Sequence, residues 1–200
     1  MLQRTYLLIL LLPIFASCDS ISDCEDGNTV VTTINRTTEP FHSINLNGSF
    51  EVILKPGTDR SILIEADSNL HKHIETAVKR DELMISSENC INPSSPVKIY
   101  ITSPEIRSLE VNGSGSIISS QLLSTNDEGL LELNIDGSGL IDLEVYTKMI
   151  KADIDGSGQI KLHGNTDGQV ITLDGSGKYD AFNLKAKETV ADLSGSGNID

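Results

Sequence analysis

Three aspartates, Asp136, Asp155 and Asp174, stand 19 residues apart, each directly before a Gly-Ser-Gly triplet. On successive stacked strands, about 4.8 Å apart, their carboxylates would repel one another. A hard cation such as Ca²⁺, which takes carboxylate and carbonyl oxygens, would offset that repulsion. The competing reading is that Asp is the turn residue of a repeated corner, solvated and screened. Asn112 and Ser194 hold the same place at the two ends of the series, which favours the corner reading. The Ca²⁺-binding nonapeptide pattern is not matched, because Gly-Gly-x-Gly does not occur and the period is about 19. His71 and His73 are one residue apart and would face one way on a strand. No third metal ligand is near them in sequence, so they read as solvated surface histidines.

The chain has three cysteines, Cys18, Cys24 and Cys90, and none has zinc spacing. In an oxidising compartment Cys24 and Cys90 either pair, stapling the N-terminal segment to the body, or remain free thiols. Nucleophilic catalysis finds no support. Gly-x-Ser-x-Gly does not occur, and the Gly-Ser-Gly triplets lack the Lys-Ser/Thr and helix of a phosphate loop. Glycosidase chemistry needs one carboxylate pair at a set separation, which a sequence does not reveal. There is no Trp, and past the leader only Tyr100, Tyr146 and Tyr179 offer rings for sugar stacking. The reading is therefore a non-enzyme. The alternative is a carbohydrate-binding or polysaccharide-cleaving protein.

Composition narrows the class. The chain is 200 residues with 15 Lys and Arg against 29 Asp and Glu, a formal charge of −14. That balance excludes a nucleic-acid footprint. A hydrophobic content of 38% excludes a multispan membrane protein, and 22% charged residues among many β-branched ones do not read as disorder.

The first 17 residues read as an address. Arg4 precedes the apolar run Leu7–Phe15, too short to span a bilayer and patterned as an export signal. Phe15-Ala16-Ser17-Cys18 resembles the lipobox of bacterial lipoproteins, with Phe15 in place of the usual Leu. Cys18 is then the acylated first mature residue, and its lipid is the membrane partner. Lipid must do the anchoring, because a chain this anionic is repelled by anionic headgroups. Residues 18–36 begin polar and acidic and read as a flexible tether.

The elements that must position these residues follow from a repeat. Gly-Ser-Gly recurs as Gly113 to Gly115, Gly137 to Gly139, Gly156 to Gly158, Gly175 to Gly177 and Gly195 to Gly197, at spacings of 24, 19, 19 and 20. Two residues before each triplet stand Val111, Ile135, Ile154, Leu173 and Leu193. Apolar alternation resumes after it at Ile117, Ile141, Ile160, Tyr179 and Ile199. This is period-2 patterning on both sides of a turn, so each repeat supplies at least two half-buried strands. Identical turns at a 19–20 residue period favour a coil of stacked parallel rungs over a hairpin meander. Glu110, Asp153 and Asp192 then form a second exposed column beside Asp136, Asp155 and Asp174.

The earlier half fits the same frame loosely. Ile44–Leu54 reproduces the columns with Phe50 in place of the second Gly. Strands are expected over 60–65, 82–86 and 97–102, and Asn69–Arg80 is either a short helix or an irregular excursion. This irregular part is expected to act as the cap a repeat stack needs. The last repeat runs to Asp200, which predicts a strand edge able to recruit another chain.

Glu39-Pro40-Phe41-His42-Ser43-Ile44-Asn45-Leu46-Asn47-Gly48, then Val97-Lys98-Ile99-Tyr100-Ile101, then the repeated Asp-Gly-Ser-Gly, resemble the putative auto-transporter adhesin, head GIN domain family. Its members are common as exported proteins of Bacteroidetes. The resemblance spans residues 37–200 and implies a right-handed parallel β-helix-like solenoid at the surface or in the periplasm. It brings no catalytic motif, and the repetitive acidic face is expected to bind an unidentified glycan or protein.

Overall fold

The computed structural model describes residues 24–125 and 129–200. The leader and Cys18 lie outside the described residues. Every regular element among them is a strand. The first half holds β1 (Glu25–Asp26), β2 (Val31–Arg36), β3 (Ser43–Gly48), β4 (Glu51–Pro56), β5 (Ser61–Asp67), β6 (Ile74–Lys79), β7 (Glu82–Ser87), β8 (Ile91–Asn92) and β9 (Lys98–Ser103). The second holds β10 (Ser108–Gly113), β11 (Ser116–Ser124), β12 (Leu130–Gly137), β13 (Leu140–Gly156), β14 (Gln159–Gly175), β15 (Lys178–Gly195) and β16 (Asn198–Ile199).

From β10 onward the chain is a solenoid of parallel rungs. Leu109, Leu133, Ala152, Ile171 and Ala191 lie in one register column. Ile117, Ile141, Ile160, Tyr179 and Ile199 lie in another. Alternation explains why. In β13, Ile141, Leu143, Val145 and Thr147 are buried, exposure slips at Lys148 and Met149, and Ile150, Ala152 and Ile154 are buried again. One long strand thus lines two arms of the coil and bends between them. The interior is aliphatic, with Leu133, Ile141, Leu143 and Leu162 fully enclosed. Burying such a side chain is worth about 1.5–3 kcal/mol.

The order of rungs in space departs from the order in sequence. The β3–β4 rung lies between β10–β11 on one side and β7–β9 on the other, all parallel. Beyond β7 and β9 the direction reverses. β6 runs antiparallel to β7, β5 antiparallel to β9, and β2 antiparallel to β5. Antiparallel strands end the regular stack here, as expected of a cap.

Three local expectations change. Asn69–Arg80 is not a helix. The isolated turn bonds Leu70 N to Asp67 O and His73 N to Leu70 O are not propagated, and alternating Ile74, Thr76 and Val78 form β6. The histidines are not solvated, because that turn tucks them against the N-terminal strands. His71 is buried with Nε2 3.0 Å from Thr32 Oγ1, and His73 Nε2 lies 2.6 Å from Glu25 Oε2. Finally, the described part of the segment read as a tether contains β1 and β2. Ile34 packs against the core and Arg36 Nη2 donates to the His71 carbonyl at 2.8 Å. A Cys24–Cys90 disulfide adjoins the short parallel pairing of β1 with β8.

Candidate functional site

The repeated corner is built by the backbone. Asp155 precedes Gly156, whose φ of +113° is a left-handed conformation open to glycine. The next amide, Ser157 N–H, donates to the Gly137 carbonyl of the neighbouring rung at 2.8 Å. Ser138, Ser176 and Ser196 make the equivalent 2.8 Å bonds to Gly113, Gly156 and Gly175. A Cβ at Gly156 would lie 2.6 Å from the Gly137 oxygen, so the first glycine is required by close rung approach. The second glycine faces inward. A Cβ at Gly158 would collide with the Ile135 side chain.

This ladder fixes the carboxylates. Asn112, Asp136, Asp155, Asp174 and Ser194 are register partners, as are Glu110, Asn134, Asp153, Thr172 and Asp192. The two columns are two residues apart and so share one outward face. They border a shallow groove of about 370 Å³ that includes Glu110, Asp136, Asp153, Asp155 and Asp174. The structure therefore brings together the residues singled out from sequence.

Charge on this face is graded. Toward β3 it is closed by amides: Asn112 Nδ2 donates to Glu110 Oε1 at 2.7 Å, and Asn47 Nδ2 donates to Asn45 Oδ1 at 2.7 Å. Asp153 is paired with Lys151 at 3.0 Å, which holds the lysine above its usual range. Asp136, Asp155 and Asp174 have no ion pair among the described residues. The other arm of the coil differs. Its Asp142–Lys161–Asp180 column alternates in sign, and Lys161 meets Asp142 at 3.2 Å. Lys178 bridges Asp180 at 3.1 Å and Asp200 at 3.0 Å, holding both carboxyls below their usual range.

Among the described residues no group of three or more His, Cys, Asp or Glu is placed to hold a metal ion. The aspartate column is a row of separate side chains rather than a chelating cage.

The second bend was not read from the sequence. Thr147 Oγ1 donates to Gly129 O at 2.6 Å, and Thr166 Oγ1 donates to Gly168 O at 2.9 Å, tying off carbonyls inside the bend. The signal was present, since Thr147 and Thr166 are 19 residues apart. Buried threonines were hidden by an apolar template for inward positions.

A family model for the putative auto-transporter adhesin, head GIN domain, matches residues 40–200. A search among curated proteins found no match. Among solved structures, a putative adhesin from Bacteroides fragilis NCTC 9343 is similar, with a TM-score of 0.78 and 23% identity over 87% of this chain and 81% of that one. A putative lipid binding protein from Parabacteroides distasonis ATCC 8503 has a TM-score of 0.66 and 21% identity, covering 87% of this chain and 97% of that one. A putative adhesin from the same strain has a TM-score of 0.70 and 19% identity, over 88% and 84%. These likenesses establish a shared fold.

Proposed function

The chain belongs to the putative auto-transporter adhesin, head GIN domain family, and from that premise we propose an exported, non-catalytic binding protein whose acidic corner face makes the contacts. It is held at the outer membrane or cell surface by acyl chains on Cys18. The observation that carries this reading is the in-register stacking of Asp136, Asp155 and Asp174 beside Glu110 and Asp153 on one rigid face. Carboxylates repeated at about 4.8 Å present many weak contacts together, and their summed field favours a cationic partner surface. The interior, filled by side chains such as Leu133, Ile141 and Leu162, supports lipid as anchor rather than cargo.

The test measures retention of the mature protein on immobilised cationic peptides. Asp136→Asn/Asp155→Asn/Asp174→Asn is compared with a control that neutralises three scattered carboxylates, Glu39, Asp59 and Glu188. Selective loss in the corner variant supports the reading, and equal loss in both reduces it to net charge. Labelling with a fatty-acid probe tests the anchor, and unlabelled protein removes it.

A further inference from the structure

At the second bend, about 20 Å of strand away from the aspartate corner, lysines stand on the outer surface. Tyr146, Asn165 and Lys185 are register partners on the outer surface there. One register position past the buried Thr147 and Thr166 and the half-buried Ala186 lie Lys148, Asp167 and Lys187. The two rows line a groove of about 710 Å³, which Thr125 also borders. Among the described residues that line it are three lysines and one aspartate, in a chain whose formal charge is −14. Asp167 is engaged by Lys187 Nζ at 2.6 Å. Lys185 has no ion pair among the described residues. Tyr146 is 60% exposed, whereas Tyr100 is half-buried and Tyr179 fully enclosed.

We propose that this groove binds an acidic saccharide, a sugar chain bearing carboxylate or sulfate groups. Lys185 supplies a point charge for the anions. The Tyr146 ring offers an amphipathic platform to a sugar face. Asn165 and Thr125 supply polar groups that take hydroxyls. A bilayer is the poorer occupant, because a groove encloses a linear ligand whereas a flat headgroup surface meets only its rims. The site is separate from the aspartate face and does not rest on it.

The experiment is affinity electrophoresis of the mature protein in gels containing polygalacturonate or chondroitin sulfate, with dextran as the neutral control. Retardation is expected in the acidic gels, with loss in roughly 0.5 M NaCl as screening shortens. Lys185→Gln and Tyr146→Ala each weaken binding roughly fivefold or more. Lys161→Gln and the triple corner variant leave it unchanged. Both groove side chains are exposed, and circular dichroism verifies that the variants fold. Migration equal to that in dextran overturns the proposal, as does retardation indifferent to both groove substitutions. Lys185-dependent co-sedimentation with phosphatidylserine vesicles, without retardation in either acidic gel, assigns the groove to membrane instead and also overturns it.

Discussion

The Tyr179 hydroxyl donates to Gln169 Oε1 at 2.7 Å inside the coil, and the same amide donates through Nε2 to Thr189 Oγ1 at 3.0 Å. A polar relay thus occupies an interior position that aliphatic residues fill in the rungs below. Burial pushes the phenol far above its ordinary pKa, so Tyr179 is expected to stay silent in an alkaline absorbance titration until the protein unfolds. Tyr179→Phe leaves the Gln169 carbonyl unpartnered and costs about 1–3 kcal/mol in urea unfolding. Adding Gln169→Leu recovers much of that loss. A Tyr179→Phe protein as stable as the parent would refute the relay.

Gly156→Ala and Ser157→Ala separate backbone from side chain at the corner. The alanine methyl at 156 meets the Gly137 carbonyl in a left-handed conformation, for a loss of about 3 kcal/mol. Ser157 contributes its amide rather than its hydroxyl, so its change stays within about 0.5 kcal/mol. Comparable melting temperatures for the two variants would contradict the stacked corner.

The Cys24–Cys90 bond closes a segment of 66 residues around the cap. Reduction, or Cys24→Ser with Cys90→Ser, is expected to lower stability by about 4 kcal/mol on the chain-entropy account. Alkylation without reductant reads the bond directly. Modification of both cysteines in the untreated protein would show that they are free.

Acid should loosen the cap. Ser94 donates to Asp67 through its hydroxyl at 2.7 Å and its amide at 2.8 Å, holding the carboxyl below its usual range. The His73 and Lys72 contacts act on Glu25 in the same direction. A depressed folded-state pKa gives stability that is complete above the unfolded value, about 3.9 for Asp, and lost as pH falls through the folded value. Urea midpoints measured downward from neutral pH should hold steady, then drop below about pH 4. Asp67→Asn should flatten that drop, and an unchanged acid limb would contradict it.

The solenoid was legible because its cause is local and repeated. A left-handed glycine and an inward-facing glycine at fixed offsets from alternating aliphatics leave few other ways to bury Ile135, Ile154 and Leu173. The aspartate face followed from that register alone. What escaped depends on long-range placement. Nothing in 43–56 announces that 82–103 will pack beneath it, and His71 looks like any surface histidine until β2 crosses over its turn. The groove at the second bend was hidden because Tyr146 and Lys185 are 39 positions apart and come to share one face only when three rungs are stacked.

The place of the β3–β4 rung bears on how the molecule is assembled during synthesis. Emerging early and flanked on both sides by segments made later, it leaves open strand edges that those segments must extend in two directions. One direction builds the clasped N-terminal lid, and the other winds the tower of glycine steps. Damage to that rung would disconnect the two halves, whereas damage to a late step would shorten only the tower.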